Sequence, residues 1–378
     1  MQFGESLKDI ELSPHKYLLH ADKLKVLAEG GDVFPVTVEI DPVDYCNHRC
    51  RWCVDPRHGK SSLRLDLAFE LLDELRRLGV MGIVYKGGGE PTLHGEFPEL
   101  LDCARRLGFE VGIVTNGSWL EALCGHIVSL ASYLRVSIDG PTRESHKAAH
   151  GTDDFDRIVS GVAKVVEMRG RHRHPAIGLS FAMDWAVMHL IDEAVSLGER
   201  LGVDYVLFRT PFYDEVGRTP TMTIEQTRAV REAFKNARQG VRGSMQVFVD
   251  QWISNREASL IEGSAGISPR RGSFMAKEAN GIEHVSGRCL ASPLLAVVTA
   301  DGTVYPCCNL RALDRWAIGV LDYGNGVDFR KIRESEHRHQ IMSQIHQIRC
   351  IRHCTHPMSK YNEAIEYLSG PKHHGSFV

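Results

Sequence analysis

Three cysteines fall within eight residues, at Cys46, Cys50 and Cys53 of "DYCNHRCRWC". Four thiolates would close a tetrahedral structural site, whereas three leave a coordination position open. A four-iron, four-sulfur cluster held by three thiolates has one iron with no protein ligand. That iron can take an exogenous chelator, such as the amine and carboxylate of an amino acid. Zinc is the alternative, with His48 as fourth ligand, although His48 is so close to Cys46 and Cys50 that joint chelation is strained. Unrelated thiols placed together by chance are the remaining reading.

A second group comprises Cys289, Cys307, Cys308, Cys350 and Cys354. Cys289 and Cys307 flank "LASPLLAVVTADGTVYP" in a Cys-x12-Gly-x4-Cys pattern. A hairpin turning at Asp301-Gly302 brings its two ends together, so both cysteines can share one metal. Cys350 and Cys354 of "CIRHC" would complete a four-thiolate cluster without an open iron. A structural zinc with His353 or His356 as substitute ligand is the other reading. Cys103 and Cys124 stand alone in amphipathic helical segments and read as small buried hydrophobes.

Elements that could position these groups recur along residues 35–210. "PVTVEID" is rich in β-branched residues and reads as a strand. "RLDLAFELLDELRRLG" repeats apolar residues at helical spacing and ends in glycine. The alternation continues to "YVLFRT" for about six βα units, too few for an eight-fold barrel, and predicts an open or partial (β/α)6 barrel. A helix over 223–239 follows. The expected division is an N-terminal extension over 1–34, a barrel over 35–240, a linker over 241–288 and a cysteine-bearing module on a β-hairpin over 289–378.

The cysteine loop follows the first strand, where ligands of parallel α/β sheets bind. The second strand ends in "KGGGEPT", whose glycines permit close backbone approach and whose Glu90 could accept from an ammonium. The third and fourth strands end in "TNG" and "SIDG".

Composition bounds the rest. Of 378 residues 43% are apolar and 25% charged, the net charge is −3, and no overall basic field argues for nucleic acid. The opening residues lack the apolar region of a secretory signal, and no apolar run reaches the ~18–20 residues of a membrane span. Ten cysteines without those signals fit a metalloprotein of the cytoplasm better than a disulfide scaffold.

"CNHRCRWC" followed by "GGGEPT" resembles the radical S-adenosylmethionine (SAM) superfamily, over roughly residues 35–210. The resemblance implies a catalytic [4Fe-4S] cluster on Cys46, Cys50 and Cys53, whose open iron chelates the methionine part of SAM. Reduction then cleaves the sulfonium to a 5′-deoxyadenosyl radical. It further implies Trp52 near the adenine, Gly88, Gly89 and Glu90 at the methionine ammonium, and Asn116 and Ser180 at strand-end positions that often contact SAM, an ordinary strand residue being the other reading of Ser180. Arg209 would pair with the SAM carboxylate or else contact the substrate or form a simple ion pair. The second cysteine group resembles a twitch module, the shortened form of SPASM extensions. That implies one auxiliary [4Fe-4S] cluster on Cys289, Cys307, Cys350 and Cys354.

Cys308 is left over: it packs, replaces a neighbouring ligand, or gives a hydrogen atom to a substrate radical. In a strand, adjacency to Cys307 would point it to the opposite face, which favours packing and a dehydrogenation over an epimerisation. The expected substrate is a small polar metabolite (a sugar, cyclitol or nucleoside derivative), with flavodoxin or ferredoxin as electron donor. Modification of a peptide or protein side chain is the first alternative, and a non-catalytic zinc-binding interaction protein the second.

Overall fold

The computed structural model describes residues 16–53, 55, 58–172, 174–182, 185–209, 224–249, 275–277, 283–285, 289–311, 313–322, 327–345 and 356–370. Its frame is a parallel sheet of alternating β/α units: β1 (Thr37–Ile40), β2 (Gly82–Tyr85), β3 (Glu110–Thr115), β4 (Tyr133–Ser137), β5 (Ala176–Ala182), β6 (Tyr205–Arg209) and β7 (Gln246–Val249). Each pairs in parallel with the next. β7 is a seventh parallel strand and lies inside the stretch that periodicity alone assigns to a linker. A separate two-stranded pair, β8 (Met275–Lys277) and β9 (Glu283–Val285), lies in the same stretch.

Helices α1 (Ala21–Ala28), α2 (Leu65–Arg77), α3 (Phe97–Arg106), α4 (Leu120–Leu130), α5 (Arg143–His150), α6 (Phe155–Arg169), α7 (Ile191–Leu201) and α8 (Ile224–Gly240) accompany these strands. The C-terminal part adds β10 (Leu295–Val298), β11 (Thr303–Tyr305), β12 (Gly319–Val320), α9 (Phe329–Arg333), α10 (Glu336–Gln344) and α11 (His356–Ser369). β10 pairs in parallel with β1, so the hairpin continues the main sheet rather than forming one of its own. The sheet has ten strands in the order β12-β11-β10-β1-β2-β3-β4-β5-β6-β7.

Strand alternation sorts the two faces. Val38, Ile40, Ile83, Ile113, Val136 and Leu179 share the fully buried apolar face that belongs to the main core. The opposite face carries Thr37, Glu39, Asp41, Lys86, Arg135, Ser137, Ser180 and Arg209, placed by the strand registers. Burying a Val, Leu or Ile side chain stabilises by about 1.5–3 kcal/mol. The apolar face therefore fixes the register, and the register aims the polar residues together.

Candidate active site

The cysteine loop leaves the carboxyl end of β1 and rests on α5. Arg49 and Arg51 donate their backbone N–H groups to the carbonyls of His150 (2.9 Å) and Ala149 (2.8 Å) at the end of that helix. Gly151, at φ +70, ends the helix where an L side chain would be strained and where a Cβ would press on the Arg49 carbonyl at 3.1 Å. Cys46, Cys50 and Cys53 are free, partly buried thiols. Burial pushes the Cys46 thiol up to about 11 and raises Cys50 and Cys53 as well. Without a cation in the loop all three hold their protons; binding a cluster releases them.

The surroundings suit thiolates that coordinate a cluster. The His48 backbone N–H points to Cys46 Sγ at 3.4 Å and Asn116 Nδ2 lies 3.9 Å from it. The buried indole Nε1 of Trp52 has no hydrogen-bond partner among the described residues. His48 turns its ring to His150 and Asp154. Its Nδ1 lies 2.9 Å from His150 Nδ1 and its Nε2 2.9 Å from Asp154, so both ring nitrogens are engaged elsewhere.

The glycine loop after β2 presses against the loop after β1. A Cβ on Gly89 would stand 2.2 Å from the Tyr45 carbonyl oxygen, so only glycine fits there. A Cβ on Gly88 would meet nothing closer than carboxylate oxygens of Asp41 and Asp55, at 3.5 and 3.6 Å. Gly88 therefore faces two carboxylates at ordinary contact distance. Glu90, buried, joins the loop after β2 to the end of β3: Oε1 accepts from Thr92 N (3.0 Å), Thr92 Oγ1 (2.6 Å) and Thr115 Oγ1 (2.5 Å). Among the described residues Oε2 accepts only from Asn116 N, at 2.7 Å, and so retains acceptor capacity there.

Asn116 links this brace to the cysteine loop by donating to Asn47 Oδ1 at 2.8 Å. Ser180 and Arg209 lie on the same polar sheet face, on β5 and β6, farther from the cysteines across the sheet.

Several residues that spacing did not single out complete the floor. Lys86 pairs with Glu39 at 3.0 Å. Asp41 accepts from the Gly88 backbone N–H at 2.9 Å, and its other oxygen receives Arg311 from the C-terminal part in a buried ion pair. The signal was the period-2 run Thr37, Glu39, Asp41 between apolar neighbours in the first strand.

In the C-terminal part, the hairpin turns as expected and brings its ends together, with Ser292 Oγ donating to the Pro306 carbonyl at 3.4 Å. Cys289 lies beside Asn362 of α11, whose Nδ2 is 3.9 Å from its sulfur. The placement of Cys308 differs from the expectation. β11 stops at Tyr305 and the chain enters a turn, in which Leu310 N bonds to the Cys307 carbonyl at 3.1 Å. Strand alternation therefore does not apply, and the Cys308 thiol is hydrogen-bonded to Cys307, which lowers it to about 7 despite burial. Cys350 and Cys354, with His353, lie outside the described residues. Among the described residues no helix is long and apolar enough to cross a membrane.

Comparison with known proteins follows the same outline. Residues 40–179 match the model of the radical SAM superfamily. A probable GTP 3′,8-cyclase of Saccharolobus solfataricus is 29% identical over 127 residues, 32% of this chain and 41% of the relative. The mycofactocin maturase MftC of Mycobacterium tuberculosis is 27% identical over 178 residues, 46% of this chain and 44% of the relative. The matched stretch thus spans less than half of either relative. Streptococcus suis SuiB, solved with its precursor peptide SuiA, shares the fold with a TM-score of 0.61 at 15% identity, over 91% of this chain and 74% of SuiB.

These matches correct the expected small polar metabolite. The longer of the two alignments is to a maturase, and the fold that spans nearly the whole chain is one solved with a precursor peptide. The cyclase match is confined to a shorter stretch. The cysteine loop at the mouth of β1, the glycine loop against it and the family match over residues 40–179 converge on a radical SAM domain in this stretch of the chain.

Proposed function

We propose that this chain modifies a peptide or protein side chain by radical SAM chemistry. The observation that carries the reading is the way the C-terminal part is built onto the catalytic strand. β10 pairs with β1, and Arg311 reaches Asp41 beneath the glycine loop, so the hairpin that leads to Cys307 and the cysteine loop share one support. The maturase relative and the shared fold of a peptide-bound enzyme support the same reading.

In this reading Cys46, Cys50 and Cys53 hold the catalytic cluster, which with SAM supplies a 5′-deoxyadenosyl radical. Gly88 and Gly89 offer backbone to the methionine ammonium, and Glu90 offers the remaining capacity of Oε2. Trp52 presents its unpartnered indole N–H on the adenine side. Asn116 steadies the Cys46 end of the loop, while Ser180 and Arg209 contact SAM or the substrate from β5 and β6. A flavodoxin- or ferredoxin-type protein supplies the electron. Cys289 and Cys307, with Cys350 and Cys354, hold an auxiliary [4Fe-4S] cluster of twitch type, an electron acceptor in an oxidative reaction. Oxidation is preferred over epimerisation because an auxiliary cluster offers an acceptor for the electron of a substrate radical.

The test is 5′-deoxyadenosine formation above the uncoupled background, anaerobically and with reductant. One panel holds short peptides encoded near the gene; the other holds sugars, cyclitols and nucleosides. Stimulation by a peptide that gains a mass change is expected; stimulation by small metabolites alone overturns the proposal.

A further inference from the structure

Behind the cysteine loop lies a buried histidine cluster that none of the roles above uses. His146 and His150, on α5, stack with ring centroids 4.5 Å apart, and His48 meets His150 edge-on at 5.1 Å. All three rings are 1% exposed or less. His150 Nδ1 lies 3.3 Å from Cys50 Sγ and 2.9 Å from His48 Nδ1.

We propose that His150 donates its Nδ1–H to the Cys50 sulfur and thereby raises the reduction potential of the cluster that the loop holds. This rests on the reading of Cys50 as a cluster ligand. A coordinated thiolate can only accept, so the contact is attractive when Nδ1 carries the proton. His48 Nδ1 then accepts from the same N–H, which places the His48 proton on Nε2, facing Asp154 at 2.9 Å. Asp154 is itself fixed by Thr152 Oγ1 (2.8 Å), Arg157 (2.9 Å) and His146 Nε2 (3.1 Å).

On the other side of the His150 ring, Asp139 Oδ2 lies 3.0 Å from Nε2 but off the hydrogen-bond line. Asp139 adopts the left-handed φ of 50° and is tethered by the Ala182 backbone N–H at 2.5 Å. Such backbone conformations in a non-glycine residue persist where the surroundings hold them. The ring is thus held by its Nδ1 contacts and by stacking on His146, as outer partners hold metal ligands elsewhere. An N–H···S bond stabilises the more negative, reduced cluster, so its removal lowers the potential. His150 is a positioning residue in this account: it acts on the reaction through Cys50.

The experiment is an EPR-monitored redox titration of the anaerobically reconstituted holoprotein without SAM. His150→Phe keeps an aromatic ring and removes the donor. With iron content retained, its reduced-to-oxidised ratio at a fixed potential should fall about tenfold, a negative shift of about 59 mV for one electron. His150→Asn returns an N–H donor near the Nδ1 position and should recover most of that shift. In parallel, wild-type protein labelled with ring-15N histidine should show a weak 15N coupling to the reduced cluster in pulsed EPR. An unchanged potential in the Phe variant, or no coupling in the labelled wild type, overturns the proposal. If the Phe variant does not retain its cluster, the labelled wild type decides alone. Failure of the underlying ligand reading looks different: Cys50→Ala would then keep the wild-type cluster signal.

Discussion

Glu90 concentrates more consequence in one side chain than its motif suggests. Its carboxylate gathers donors from the Thr92 backbone and hydroxyl, Thr115 and the Asn116 backbone. Glu90→Gln can keep the three donors on one oxygen, but its amide nitrogen would then face the Asn116 N–H. A buried donor left against another donor costs about 1–3 kcal/mol. The variant should therefore lose thermal stability by that amount and bind SAM more weakly. Equal stability and equal affinity, by thermal unfolding and SAM titration, would remove Glu90 from both roles. Cys308→Ala should keep normal product if the reaction is oxidative. A variant with full iron that accumulates substrate radical or shunt products would make Cys308 the hydrogen-atom donor. The cysteine and glycine motifs were legible in the sequence because their spacing is local. The His48–His150 contact was not, because its partners are 102 residues apart and the sequence shows only a histidine inside a cysteine motif.

Two elements test how the site is supported. The Arg311–Asp41 pair ties the turn after β11 to the end of β1, with both side chains buried. Arg311→Met leaves the Asp41 carboxylate uncompensated and should cost about 3–5 kcal/mol in denaturant unfolding. The double variant Asp41→Asn, Arg311→Met should recover much of that loss; no recovery would mean that the pair is not what joins the two parts. α5 supplies a second test. Burial alone would raise the Asp154 carboxyl, but hydrogen bonds from His146, His48 and Thr152 outweigh it and hold it below the usual range. A lowered folded-state value contributes stability that is complete above the unfolded carboxyl value of about 3.9 and is lost as pH falls below it. Asp154→Asn should thus flatten the acid side of the stability–pH curve; an unchanged acid slope would contradict this. α5 escaped the periodicity reading because its buried face is His146, Ala149 and His150, polar letters in a helix of eight residues. β7 escaped because a four-residue strand after a helix carries too little alternation to separate it from a loop. A longer unit such as α2 was legible because its whole buried face is apolar.

On the scale of the whole molecule, one sheet carries the cysteine loop and the hairpin that leads to Cys307, and the parallel pairing of β10 with β1 makes them parts of one structure. The sequence showed the hairpin but not that it would join β1, because pairing between distant strands leaves no local periodicity. The central claim is that Cys46, Cys50 and Cys53 hold the cluster that cleaves SAM while the C-terminal cysteines hold another. The most direct measurement compares iron content and 5′-deoxyadenosine formation, after anaerobic reconstitution, in the wild type and in the triple variant Cys46→Ala, Cys50→Ala, Cys53→Ala. The account predicts that the triple variant keeps about half the iron, as expected for two clusters of equal size, and forms no 5′-deoxyadenosine. A triple variant that keeps all its iron, or that still cleaves SAM, would contradict it.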